Sequence, residues 1–313
     1  MSYIHLKTFQ ISNQEHVLND ITLAITGTTI VDQFSESCDK TYTTIDSTLP
    51  TNWTLVDDTL TDRRIIKSPY VNFPAEYKFV EIEITDGYLR FYGWELWNEV
   101  THTGINRTNN TGNNSKVRWS TTYENTFYII SLPEYVAIQT NYNVSIWGDP
   151  NYAGMMIVSE FSTDLPTQIN PDGSLNFPAF CVIYTGSTFR YNETHKNTYL
   201  TRIRDKNSNY LVGKSIYCYA EGTIPAFHDD LKYFPQGNSR MKLLDDRYAI
   251  SMIPLLLGEA DVFSSKIGVV SDIWALPKNG EFRDGDTFEI YPSSEIYISI
   301  YAGQNHYLAF RLS

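Results

Sequence analysis

No recognisable nucleophile or nucleotide motif occurs in this 313-residue sequence: there is no Gly-x-Ser-x-Gly, no P-loop, no Gly-x-Gly-x-x-Gly and no His-Glu-x-x-His. Hydrolysis by paired carboxylates, which leaves no local signature, is the one catalytic class not addressed by that absence. Cysteine is scarce. Cys38, Cys181 and Cys218 lie far apart with no Cys-x-x-Cys spacing, which excludes the common zinc and redox patterns and any disulfide framework. Cys181 in "AFCVIYT" and Cys218 in "IYCYAEG" sit in apolar runs and read as buried thiols, with a single bridge between them left open. Positive charge is also short, with 24 Lys and Arg against 36 Asp and Glu, a net charge of −12 and a pI near 4.9. Its densest basic patch, "TDRRIIK", is diluted by Asp62, so no nucleic-acid partner is expected. The longest apolar run, "ISMIPLLLG", cannot reach across a bilayer, so no membrane partner is expected either. The opening "MSYIHLKTFQ" has neither a basic region nor an apolar core, so a secretory leader is not expected and assembly in a cytoplasm is.

What is abundant is strand-forming. Hydrophobic residues make up 42% of the chain and aromatics 14%, including 23 tyrosines, which suit half-buried strands and contact surfaces. Helical spacing occurs once, in "SNQEHVLNDITLAI": Ser12 and Asn13 as caps, Glu15 in the capping-box position, then Val17, Leu18, Ile21 and Ile25, with Gly27 ending the run. The stretch from Ser35 to Pro50 is polar and aperiodic and reads as a linker or draped arm. In "YKFVEIEIT", Phe79, Glu81 and Glu83 alternate with Val80, Ile82 and Ile84. Asp86-Gly87 and "YLRFYGW" follow, which is a hairpin signal. Many further short strands follow at turn-punctuated intervals, without an internal repeat.

The fold class expected is mainly β: a β-sandwich, jelly-roll-like, with a short N-terminal helix and an extended arm. The expected organisation is 1–50 helix and arm, 51–165 a first β region with a long polar loop at 101–116, and 166–313 a second β region that can form one composite sandwich with the first. The proline-bearing stretch Ser162–Pro178 reads as the junction between them or as a long crossover between two sheets.

Carboxylate clusters read as turns. Asp284-Gly285-Asp286 stands between two strand-like runs, where a β-turn favours Asp and Gly. His228-Asp229-Asp230 is the most ligand-like sequence, yet adjacent residues of an extended chain point opposite ways and rarely chelate one ion; Asp57-Asp58 and Asp245-Asp246 are similar. No catalytic, cofactor-binding or metal-ligating residue is therefore assigned, and no cofactor is expected. "YGWELWNEV" is different: Trp94 and Trp97 beside Glu95 and Glu99, with Trp119 further on, are candidate platforms for glycan or for a protein interface.

Several C-terminal stretches carry a resemblance. "EYVAIQTNYNVSIWGDPNYAGMMIVSEFSTDLPTQINPDGSLNFPAFCVIYTG" has two strands, a proline-rich segment and another strand. "YAISMIPLLL" is an apolar strand with an internal proline, "IGVVSDIWAL" and "DGDTFEI" flank a Gly-Asp turn, and "QNHYLAFRLS" is a terminal strand. In this order they resemble uncharacterised virion structural proteins of tailed bacteriophages, over about the last 180 residues and only loosely over the first 120. The Asn-rich stretch at Thr101–Lys116 departs from that pattern. The resemblance implies a non-enzymatic component of the tail, baseplate or neck, located in the virion. Its implied partners are other copies of itself and neighbouring virion proteins. The alternative is a carbohydrate- or receptor-binding module at the tail tip meeting host surface glycan; a glycan depolymerase ranks below both.

Overall fold

Alternating apolar residues organise most of the described residues into antiparallel strands. The computed structural model describes residues 2–8, 14–27, 40–44, 51–85, 87–108, 117–118, 125–143, 150–163, 178–185, 196–201, 216–220, 240–242, 248–250, 252–259, 266–276, 285–290, 292–303 and 306–312. β1 (Ser2–Thr8) leads to the helix α1 (Gln14–Ile25) and β2 (Lys40–Thr44). A first group follows: β3 (Thr54–Asp57), β4 (Arg63–Pro69), β5 (Tyr77–Thr85), β6 (Tyr88–Asn98), β7 (Thr103–Arg107) and β8 (Val117–Arg118). The second group starts with β9 (Asn125–Ser131), β10 (Tyr135–Asn143), β11 (Pro150–Thr163), β12 (Phe180–Thr185), β13 (Lys196–Leu200) and β14 (Ile216–Ala220). A small hairpin, β15 (Arg240–Lys242) and β16 (Tyr248–Ile250), precedes β17 (Ile253–Glu259) and β18 (Lys266–Leu276). The last strands are β19 (Thr287–Ile290), β20 (Glu295–Gly303) and β21 (His306–Arg311).

The protein is mainly β, with sandwich-like layering. A 6-stranded sheet, β3-β4-β5-β6-β7 with β8 also on β6, faces a 13-stranded sheet in the order β19-β20-β21-β18-β17-β14-β13-β12-β11-β10-β9-β1-β2. The larger sheet curls back on itself. β11 is long enough to pair β10 and β12 along most of its length and then β18 through Phe161–Thr163, closing a ring of β11, β12, β13, β14, β17 and β18. The cut read at residue 165 falls between β11 and β12, which pair from Met155↔Thr185 to Glu160↔Phe180, so the chain on both sides of it shares one sheet.

Strict alternation along β9–β12 feeds two cores. Phe127, Ile129, Ile138, Met156, Val182 and Tyr184 face the smaller sheet and α1, while Ile130, Ala137, Met155, Ile157, Cys181 and Ile183 face the curled half with Leu257, Ile273, Ile300 and Phe310. The helix sits within the first core. Its Val17, Leu18, Ile21, Ala24 and Ile25 are all buried at the expected helical spacing, and Gly27 ends it at φ 69°. Ser12 and Asn13 lie outside the described residues. Ser131 Oγ donates to the Ile25 carbonyl (2.7 Å), satisfying an otherwise orphan group at the helix end.

Two polar stretches differ from their reading in sequence. Within the supposed arm, Lys40–Thr44 pairs antiparallel with β1, because "KTYTT" is rich in β-branched and aromatic residues despite its polarity. Within the supposed loop at 101–116, Thr103–Arg107 forms β7; residues 109–116 lie outside the described set. The Asp-Gly hairpin reading holds, with Thr85 opposite Tyr88 and Gly87 at φ 74°. Gly285 (φ 84°) donates its amide to Ser299 O (2.9 Å) and Asp286 O accepts from Ser299 N (2.9 Å), so this corner leads directly into the β19–β20 pairing; Asp284 lies outside the described residues.

Contacts between the layers are close and polar at a few points. Tyr184 on β12 donates its hydroxyl to Phe91 O and accepts from Phe91 N (2.9 Å) on β6. A Cβ on Gly93 would meet Thr201 Cγ2 at 2.7 Å and the Phe180 ring at 2.8 Å, so β6 passes β12 too closely for a larger residue. Trp53 Nε1 donates to Leu132 O (2.8 Å). Lys78 is fully buried and donates to Pro69 O (2.9 Å), Pro133 O (2.8 Å) and Glu160 Oε1, while Val71 N–H also donates to Glu160 (3.1 Å). The ammonium lies 5.1 Å from the Tyr70 ring centroid and 5.6 Å from that of Trp53. Burial pushes Lys78 down and Glu160 up, each opposed by the partner's charge.

Removing one member of such a pair leaves a buried charge, whereas removing both need not destabilise. Glu160→Gln is expected to lose about 3–5 kcal/mol in urea unfolding. The double variant Lys78→Met, Glu160→Leu is expected to recover most of that loss.

Candidate functional site

The sequence directs attention to Trp94 and Trp97, and both lie on the 6-stranded sheet, on β6. Residues three apart in a strand should face opposite sides. Here Asn106, opposite on β7, takes φ 54° between the pairs Trp94↔Arg107 and Leu96↔Ile105, and the two indoles meet edge-on with centroids 5.4 Å apart. Trp97 is only 8% exposed and packs with Ile65, Phe79 and Val56. Trp94 is half-buried, and its ring lies over Gly104, where an added Cβ would meet indole carbons at 2.3 Å, 2.6 Å and 2.7 Å. Trp119 lies outside the described residues.

A polar cluster adjoins the pair. Glu81, whose alternation pattern implied a solvent-facing side chain, is fully buried. It accepts from Trp94 Nε1 (2.9 Å) and from Arg107, whose guanidinium stacks 3.5 Å from the Tyr92 ring centroid and lies 5.7 Å from that of Trp94. Burial pushes the Glu81 carboxyl up, with Arg107 opposing it, and burial also raises the Tyr92 hydroxyl. Glu83 bonds Arg90 (2.9 Å), and Lys67 bonds Glu99 while lying 5.0 Å from the Tyr77 ring centroid. Each carboxylate is thus held against a cation. Glu95, singled out beside the tryptophans, accepts from Asn106 Nδ2.

What is exposed beside this cluster is apolar. Leu96 and Ile105, opposite one another on β6 and β7, are 45% and 57% exposed, and Val100 in the connecting turn is 88% exposed. Glu81, Tyr92, Gly104, Ile105 and Arg107 were not singled out in the sequence. The signal for Leu96 and Val100 was present in "WELWNEV", where apolar residues continue past the indoles into a turn.

Other candidates resolve into structural roles. Asp57 accepts from Thr59 N (3.0 Å) and Thr59 Oγ1 (2.8 Å), with His102 Nδ1 at 3.2 Å. Burial would raise its carboxyl, but these bonds hold it below its ordinary value. Asp57 is thus a turn residue. His228, Asp229, Asp230, Asp245 and Asp246 lie outside the described residues. Among the described residues no group of three or more His, Cys, Asp or Glu is placed to hold a metal ion, and no helix is long and apolar enough to cross a membrane. Cys181 is buried, with its thiol donating to Ser159 O (3.4 Å). A second charged cluster gathers Asp272 (3.0 Å), Glu295 (3.6 Å) and Glu134 (3.8 Å) around Arg311, fastening the last strand to β18, to β20 and to the turn between β9 and β10. Beside it, burial followed by the Glu295 charge pushes the Tyr297 hydroxyl from 10.0 up to about 12.

No protein-family model matches the chain, and no curated protein matches it.

Two outcomes follow from this geometry. Trp97→Ala is expected to destabilise by about 3–5 kcal/mol, as a core aromatic does, and Gly104→Ala by about 1–3 kcal/mol by displacing the Trp94 ring. Both are read by urea unfolding followed through indole fluorescence. Separately, a raised Tyr297 means the native state keeps a proton that the unfolded chain has lost. Its contribution is therefore complete below about pH 10 and declines as pH rises towards 12. Tyr297→Phe should flatten that alkaline decline in stability.

Proposed function

We propose that this chain is a non-enzymatic structural protein of a tailed-bacteriophage virion, in its tail, baseplate or neck, working through protein–protein interfaces with copies of itself and with neighbouring virion proteins. The virion assignment comes from the C-terminal strand-and-turn pattern described above. The interface reading is carried by one observation: the apolar corner of Leu96, Val100 and Ile105 stands open to solvent directly beside an inward-packed indole pair. Apolar side chains collected at one rim, beside charges already neutralised by partners, are what a protein contact buries.

Glycan binding at the same place is the second reading, because Trp94 keeps part of its ring accessible. It is the weaker one. Sugar stacking needs open ring faces, and Trp97 is 8% exposed while Trp94 is backed by Gly104 and flanked by Arg107.

Gold-labelled antibody against the chain, applied to intact particles of the virus that encodes it, is expected to decorate the neck, tail or baseplate. Absence of label, together with absence of its peptides from disrupted particles by mass spectrometry, would overturn the virion reading. Retention on a glycan array that is lost in Trp94→Ala would replace the interface reading with the second one.

A further inference from the structure

The smaller sheet ends at β7, and the ends of sheets are where chains join. Among the described residues β7 pairs with β6 alone, leaving its outer backbone groups without a ladder partner. Monomeric proteins blunt such an edge with proline, lysine or an inward-pointing charge. β7 reads "TGINR" and has neither proline nor lysine. Arg107, the one charge on the strand, is taken up by Glu81 and Tyr92; it is the single protecting device that β7 carries, and it leaves the edge at Ile105 apolar.

Charge is decisive for the kind of partner. A chain of net charge −12 repels its own copies wherever unbalanced carboxylates face each other. Next to β7, Arg107 is matched with Glu81, Arg90 with Glu83 and Lys67 with Glu99, while Glu95 is held by the Asn106 amide. A second copy approaching here meets less of that penalty than at a face of bare carboxylates. An edge is also self-complementary, because two identical strands laid antiparallel about a two-fold axis exchange the same bonds in both directions.

We propose that β7 is the seam through which two copies of this chain pair, edge to edge and antiparallel, with Ile105 facing its own counterpart. This names the partner for the interface put forward above and rests on that reading. With the axis at Ile105, Thr103 of each copy stands opposite Arg107 of the other. Leu96, beside Ile105 on β6, extends the apolar seam, and Val100 caps it at the turn. A five-residue edge supplies few ladder bonds, so the apolar side chains supply most of the affinity. Two-fold pairing uses up the β7 edge of both copies, so this seam closes at a pair.

The test is the mass of the purified 313-residue chain by light scattering across a concentration series, with two variants. The wild type is expected to be a dimer. Ile105→Lys, a charge in the centre of the seam, should raise the dimer dissociation constant at least about tenfold, with an unchanged circular dichroism spectrum. Ile105→Cys should form an interchain disulfide under mild oxidation, mapped to that position by mass spectrometry, and this readout is independent of how the lysine variant folds. A wild type that stays monomeric throughout, or a dimer in which Ile105→Cys does not cross-link, overturns the seam. A monomer that is nevertheless found in particles would refute the seam and leave the virion reading standing; a cross-linking dimer absent from particles would do the reverse.

Discussion

One buried ammonium holds the two layers in register. Lys78 comes from the smaller sheet, Glu160 from the larger, and the ammonium is saturated by one carboxylate and two carbonyls, one from each side of the junction. Placing a charge in that position is costly unless every donor is met, so the sheets have one relative position in which Pro69, Pro133 and Glu160 converge. Apolar packing alone would tolerate sliding. The ion pair, the Trp53 bond to Leu132 and the Tyr184 bridge into β6 do not. Close approach at Gly93 follows from the same alignment.

That alignment decides what the outer face of the smaller sheet can present. With its inner face committed to the helix and to β9–β12, its aromatic residues of the outer face fold over one another, Trp94 on Gly104 and Trp97 beneath, and Arg107 closes over Tyr92. The carboxylates that might have suggested catalysis are each held by a cation or an amide. Unmatched apolar surface remains at Leu96, Val100 and Ile105, at the sheet's open end. Apolar side chains gathered at an open end, beside indoles that pack against one another, are the observation on which the proposed association rests.

Much of the architecture was legible from local chemistry. The helix could be placed because Val17, Leu18, Ile21 and Ile25 share one face, and the β5–β6 hairpin because Asp-Gly follows an alternating run. Composition hid β2 and β7, since Thr, Asn and Gly mark loops as readily as edge strands. Alternation also misjudged Glu81. A period of two predicts one wet face, and here the outer face carries its own aromatic cover while the inner one buries a lysine. Neither can be seen without the partner strands. The tryptophan pair was singled out in the sequence, but only the packing of Trp97 and the edge-on contact with Trp94 reveal that the indoles pack together and leave the neighbouring aliphatic residues outside.

The proposed role is association through the apolar corner of the smaller sheet within an assembled particle. Hydrogen–deuterium exchange, comparing the free chain at a concentration too low for self-association with the same chain inside purified particles, tests it most directly. Strong new protection is expected in peptides covering residues 96–107. Unchanged exchange across 96–107, with protection appearing elsewhere on the chain, would contradict it.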